Sequence, residues 1–341
     1  MITNTDFAKH ISRFFSDYLL NERGASKNTV ASYRDAFIQF IDYMKEIKGI
    51  PVEKLTLFNL TNRIVADYLN WLVDIRKCSI STRNYRLAAI HSFVSYLQYV
   101  SLEYMDEWQK IKSIKFVRCS SQSPSYLTIE GIKLLLEQPD ISTVNGRRHL
   151  SILSLMYATG ARVSEIVNLQ IQSVQIQAKP YTVKLIGKGN KARIVPLLDE
   201  DSQVLRRYME EHHLFDFRDK SIPLFINKRN EKMTRSGLAY ILNTYVAMAK
   251  QLRPELFSGT ISCHSLRHSK AMHLLQAGVP LIYIRDILGH VSSVTTEVYA
   301  RADSKAKREA IEKAYTQVNP NIVKDREWEK DNDLRTWLKG L

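Results

Sequence analysis

A chain of 341 residues with 45% hydrophobic and 25% charged residues is long enough for two domains of ordinary size, each able to bury a real core. Lys and Arg outnumber Asp and Glu by 49 to 35, and the resulting formal charge of +14, spread over both halves, attracts a polyanion such as DNA or RNA. No run of 18 apolar residues and no signal-peptide core at MITNTDFAKHISRFF exclude a membrane span and export. Cys78, Cys119 and Cys263 are odd in number and far apart, which excludes a disulfide framework and a zinc spacing; a reducing, cytoplasmic setting follows.

The first hundred residues read as helices. Phe7, Ile11, Phe14, Phe15, Tyr18 and Leu19 recur at three- and four-residue steps and make one apolar face. After Gly24, Ser26 caps a second helix whose stripe is Val30, Tyr33, Phe37, Phe40, Ile41 and Met44, ended by Gly49-Ile50-Pro51. A third helix covers 62–76 through Ile64, Tyr68, Leu69 and Leu72. A fourth starts near Ser79 and carries Tyr85, Leu87, Ile90, Phe93, Val94 and Leu97. Four helices with short links predict a compact bundle over residues 1–112.

Residues 113–127 (SIKFVRCSSQSPSYL) break the periodicity and read as a linker. A second, mainly helical domain follows over 128–315, interrupted by YTVKLIGKGNKARIVPL at 181–197, where alternation on either side of Gly187-Lys188-Gly189-Asn190 predicts a β-hairpin. Residues 316–341 are highly charged, yet Trp328, Leu334, Trp337 and Leu338 suit a short amphipathic docking helix.

Three segments of the second domain hold chemically capable residues. In ATGARVSEI (158–166), Gly160 permits a turn, and Arg162 and Glu165 then stand three apart at a helix start. A surface ion pair would look the same. In the hairpin turn, glycines flank Lys188 and let the chain approach a ligand closely, with Lys191 and Arg193 adding charge; a solvated tip reads equally well. In HSLRH (264–268), His264 and Arg267 share a helical face and can reach one anion. LLQAGVPLIYIRDILGH (274–290) is a helix-turn-helix pattern in which Gly278 ends one helix and Gly289 caps the next, exposing His290; Ser292 or Ser293 can cap a further helix bearing Tyr299.

The order Arg162-x-x-Glu165, Lys188 in a hairpin, His264-x-x-Arg267, Leu288-Gly289-His290 and then Tyr299 resembles the tyrosine recombinase (phage integrase) family. GARVSE, GKGNKAR, HSLRHS and LGH are similar to the corresponding segments of Xer-type members. The match spans about 150–305, while Ser26-x-x-Thr29-x-x-x-Tyr33 and Ser79-x-x-Thr82 resemble the family's core-binding, SAM-like domain more loosely. The resemblance implies a mainly α fold with a small β-sheet, a core-binding domain at 1–112 and a catalytic domain at 128–315; it carries nothing over for 316–341, whose apolar residues are expected on their own pattern to dock in a neighbouring protomer.

The resemblance also implies roles. Arg162 and Arg267 would neutralise the phosphate, because guanidinium stays charged and makes paired bonds to phosphate oxygens. Tyr299 would attack, Lys188 would protonate the departing 5′-oxygen, and His264 would take the phenolic proton or bond the phosphate. His290 would orient the phosphate, and Glu165 would buttress Arg162 or His264. A 3′-phosphotyrosyl link conserves bond energy, so no ATP, metal or other cofactor is expected. The expected partners are double-stranded DNA with specific sites, three further protomers of this or a related recombinase, and an accessory directionality protein. A mobile-element integrase is the preferred role. An Xer-type resolvase of chromosome or plasmid dimers, a type IB topoisomerase and a non-catalytic helix-turn-helix regulator are the alternatives. Among other tyrosines, Tyr283 is expected to pack and Tyr315 lacks a preceding LGH.

Overall fold

A computed structural model describes residues 5–119, 125–289 and 296. His290, Tyr299 and the segment 316–341 lie outside the described residues. The chain divides into two compact units, Met1–Ser121 and Gln122–Leu341.

In the first unit, serine and threonine side chains set the helix starts by accepting backbone N–H groups that have no partner within the first turn. Thr5 begins α1 (Asp6–Arg13), Ser26 begins α2 (Lys27–Glu46), Thr61 begins α3 (Asn62–Asp74) and Ser79 begins α4 (Ile80–Val100). The apolar face read from Phe7 to Leu19 is not one α-helix. It passes from α1 into a π-helical segment, Phe14–Glu22, which keeps Phe14, Tyr18 and Leu19 buried. A fifth helix, α5 (Met105–Lys112), adds to the four expected; Trp108 anchors it, fully buried, with its indole donating to the Ser101 carbonyl at 3.0 Å. Tyr85, expected on the buried stripe of α4, stands 69% exposed.

Aromatic packing dominates this core. Phe14 is fully buried and meets the rings of Tyr18, Phe37, Phe93 and Tyr96 at centroid separations of 5.2–6.1 Å. The chain leaving α5 is strapped back along α4. The Val117 N–H donates to Asn84 Oδ1 at 3.1 Å, Asn84 Nδ2 donates to the Val117 carbonyl at 2.8 Å, and Phe116 meets His91 edge-on.

The second unit begins with α6 (Ile129–Glu137), α7 (Val144–Thr159) and the single-turn α8 (Val163–Val167). A three-stranded antiparallel sheet follows: β1 (Val174–Gln175), β2 (Thr182–Ile186) and β3 (Ala192–Pro196), in that order. The predicted hairpin is β2–β3, with Val183 opposite Val195 and Leu185 opposite Arg193. Helices α9 (Asp199–Glu211), α10 (Arg235–Leu252), α11 (Cys263–Gln276) and α12 (Leu281–Leu288) complete the described part. Helix α7 is buried on nearly every side of its second half, as a central helix must be, and packs on α9 and α11. Helices α11 and α12 share a small apolar cluster of Ala271, Met272, Ile284 and Leu288. Tyr283 does not pack as expected: Ile284 and Leu288 fill the inward face of α12 and leave it 60% exposed. Among the described residues, no helix is long and apolar enough to cross a membrane.

Truncating Phe14 to Ala should cost the first unit about 3–5 kcal/mol, because an aromatic side chain leaves a cavity among fixed rings. Denaturant unfolding of the full chain, followed by tyrosine and tryptophan fluorescence, measures this; an unchanged midpoint for the first unit would contradict the packing described.

Candidate active site

The site begins at a glycine. Helix α7 ends at Gly160 in the left-handed conformation (φ 58°), and a Cβ there would lie 2.6 Å from Leu288 Cδ2. The reversed chain presents Arg162 in extended conformation as the residue capping α8. Three residues on, Glu165 accepts the Arg162 backbone N–H on Oε2 at 2.8 Å and Arg162 Nη1 on Oε1 at 2.9 Å. One carboxylate therefore caps the helix and aims the guanidinium.

Strand β3 brings a second arginine to the same carboxylate. Its alternation turns Arg193 to the side of Val195, against the core, where an apolar residue would be ordinary. Arg193 Nη1 and Nη2 grip Glu165 Oε1 and Oε2 at 2.9 and 2.8 Å. The Glu165 side chain is 2% exposed and that of Arg193 is 10% exposed. Burial alone would raise the Glu165 pKa; hydrogen bonds from Arg193 and from the Arg162 backbone, with the charge of Arg193, outweigh it and hold the carboxyl below its ordinary value. The hairpin tip closes on this pair. A Cβ at Gly187 would stand 3.2 Å from Glu165 Oε1 and 3.8 Å from Arg162 Nη1, so the backbone just before Lys188 runs against the carboxylate.

Helix α11 supplies the third arginine. Arg267 is 3% exposed; its Nη1 donates to the Gly160 carbonyl and its Nη2 to the Leu288 carbonyl, both at 2.7 Å. The three guanidiniums thus end on three successive carbonyls. Arg193 Nε reaches Ile287 O at 2.8 Å, Arg267 reaches Leu288 O, and Arg162 Nη2 reaches Gly289 O at 3.4 Å. These carbonyls form the C-terminus of α12, where the helix dipole favours cations. Gly289 ends the helix in the left-handed conformation (φ 65°), and a Cβ there would come within 2.9 Å of Arg193 Cδ.

His264 is exposed, one turn before Arg267. Partial desolvation, followed by the positive charges of Arg267 and Arg162, lowers its pKa from the ordinary 6.5, so the imidazole is neutral at pH 7. A neutral imidazole can accept a proton; an imidazolium cannot. Cys263, its neighbour, is half-buried, and burial pushes its thiol up, away from nucleophilic use.

Arg162, Glu165, Arg267 and the hairpin backbone beside Lys188 are therefore brought together, with His264 within electrostatic reach. The side chain of Lys188, and residues His290 and Tyr299, lie outside what the structure describes. Arg193 was read only as added charge near the hairpin tip. Strand alternation was the signal that could have found it, because an arginine on the core side of a hairpin requires a buried anion.

The described part is thus a helical unit followed by a helical unit with a small sheet, which holds three guanidiniums around one helix end. The model of the phage integrase family matches residues 125–306, and that of the phage integrase N-terminal SAM-like domain matches residues 12–99. A putative integrase/recombinase, y4rC, of Sinorhizobium fredii is 31% identical over 341 residues, all of both chains. Tyrosine recombinase XerD of Staphylococcus epidermidis is 31% identical over 307 residues, 90% of this chain and 97% of its own. Among solved structures, XerH site-specific recombinase bound to palindromic difH substrate superposes with a TM-score of 0.68 at 24% identity, covering 84% of this chain and 80% of its own. The Tn1549 transposon integrase in complex with transposon right end DNA also reaches 0.68, at 15% identity and with 89% and 98% coverage. The chain belongs to the phage integrase family and is a tyrosine site-specific recombinase.

Replacing Glu165 with Gln leaves two buried or half-buried guanidiniums without their anion and should destabilise the second unit by about 3–5 kcal/mol. Thermal or urea unfolding checks this. Wild-type stability in the variant would mean that the carboxylate does not hold the arginines.

Proposed function

We propose that this protein cleaves and rejoins double-stranded DNA at specific sites through Tyr299, as the integrase of a mobile element. The observation that carries the reading is the convergence of Arg162 and Arg267 on the end of α12, directly before His290. A phosphodiester is anionic and its alkoxide leaving group is poor, so positive charge must be fixed in place before charge builds on the pentacoordinate phosphorus. Guanidiniums locked by backbone carbonyls meet that need without rearranging during the reaction. In this reading the Tyr299 phenol attacks, neutral His264 receives its proton or bonds the phosphate, and His290 orients the phosphate. Lys188 donates a proton to the departing 5′-oxygen. The 3′-phosphotyrosyl link then passes to another strand's 5′-hydroxyl, with no cofactor or metal required.

Residues 1–112 and 128–315, joined by 113–127, both bind the duplex, drawn to it by the +14 charge. Four protomers assemble on two sites in the cytoplasm, with the tail 316–341 docking in trans and an accessory protein setting direction. The full-length alignment with the putative integrase/recombinase y4rC, which extends over this tail, supports the integrase role. The alignment with XerD over 307 residues supports the second reading, resolution of chromosome or plasmid dimers. Recombination of the element's own ends, as against a chromosomal dimer site, separates the two.

Wild-type protein on a nicked suicide substrate bearing its site should form an adduct that survives SDS. Tyr299→Phe should bind the same DNA and form none; an adduct in that variant would remove Tyr299 from the reaction. Arg162→Ala should slow cleavage about 10²–10³-fold, the loss typical of one preorganised donor to a developing charge. An unchanged single-turnover rate would exclude Arg162 from the phosphate site.

A further inference from the structure

We propose that Arg193 is a positioning residue for the leaving-group proton: it ties the β2–β3 hairpin to the arginine frame, so that Lys188 meets the departing 5′-oxygen. The inference rests on the proposed role of Lys188 and assigns to Arg193 the task of holding it in register.

Three contacts carry the argument. Arg193 binds both oxygens of Glu165, and its Nε binds the Ile287 carbonyl at the end of α12. One side chain from β3 therefore spans α8 and α12, and the end of α12 also receives Arg162 and Arg267. Arg193 pairs directly across the hairpin with Leu185, and the Gly187 N–H closes the tip on the Lys191 carbonyl at 2.8 Å. The tip is thus a short, closed turn two residues beyond the anchored pair. A Cβ at Gly187 would stand only 3.2 Å from Glu165 Oε1, so the glycine lets the tip lie close over the carboxylate and Arg162. A hairpin held only by its apolar face could slide or tilt over α8. The fork of Arg193 resists both motions, since each would break a charged hydrogen bond at 10% exposure.

The consequence is confined to one bond. In cleavage, the Tyr299 oxygen forms a bond to phosphorus and the bond from phosphorus to the 5′-oxygen breaks; that oxygen takes its proton from the Lys188 ammonium. If the 5′-oxygen is replaced by sulfur, the departing 5′-thiolate is stable near neutral pH and needs no proton. A defect that acts through Lys188 disappears on that substrate, whereas a defect in phosphate binding or in folding persists.

The test compares single-turnover adduct formation on the ordinary nicked substrate and on its 5′-phosphorothiolate counterpart, for the wild type, Arg193→Lys, Arg193→Ala and Lys188→Ala. Arg193→Lys keeps the charge beside Glu165 but loses the planar fork, so it carries the test even if Arg193→Ala unfolds. It should cleave the phosphodiester about 10²-fold more slowly, the scale of a misplacement near 1 Å. On the phosphorothiolate it should approach the wild-type rate, in parallel with Lys188→Ala. Equal slowing of Arg193→Lys on both substrates, or no slowing on either, would overturn the proposal. So would rescue of Arg193→Lys without rescue of Lys188→Ala. A wild type that forms no adduct on either substrate would instead refute the recombinase chemistry proposed above.

Discussion

The second unit is organised around one buried carboxylate. Glu165 caps α8 with one oxygen, shares its charge between Arg162 and Arg193, and lies so close under the hairpin tip that a Cβ at Gly187 would stand 3.2 Å from it. Removing two guanidiniums and a carboxylate from water is costly, and mutual attraction alone repays that cost poorly. The three successive carbonyls at the end of α12 supply further compensation, because each accepts from a different arginine. A helix terminus ordinarily leaves those acceptors to solvent. Here they serve as fixed negative ends around which the positive groups are arranged.

That arrangement concentrates cationic groups with a single described carboxylate among them. Arg267 sits at 3% exposure, and partial burial, with the nearby charges of Arg267 and Arg162, lowers the His264 pKa. A phosphate brought to this place would add negative charge where the protein has deliberately little, with no reorganisation of the donors. The glycines at 160, 187 and 289 belong to the same design. Each stands where a Cβ would come within 3.2 Å of Leu288, Glu165 or Arg193, so a side chain there would push the neighbour aside.

Much of this was legible in the sequence. Ser26, Ser79 and Gly289 announce helix ends because a cap is a local event, decided by one side chain and its own backbone. The hairpin was legible because alternation and a glycine-rich turn coincide at 181–197. The order of Arg162, Lys188, His264 and Arg267 points to the family, although order along the chain does not say how Arg162 and Arg267 meet at the end of α12. Features that depend on distant partners were less visible. Helix α5 is eight residues long and owes its place to Trp108, and β1 has two residues, too few for any period. Tyr85 and Tyr283 lie at helical positions that suit packing but find no place in the cores described. Arg193 is the least visible of all, since its partner Glu165 lies 28 residues away and only the fold brings the two together.

The central claim is that this frame of arginines holds one DNA phosphate in line for Tyr299. A structure of the protein trapped on a half-site with an intact scissile phosphate measures it directly. The account predicts guanidinium nitrogens of both Arg162 and Arg267 within hydrogen-bond distance of that phosphate, and the Tyr299 hydroxyl opposite the 5′-oxygen, from the same protomer or a neighbour. A scissile phosphate bound elsewhere, out of hydrogen-bond reach of both guanidiniums, would contradict it.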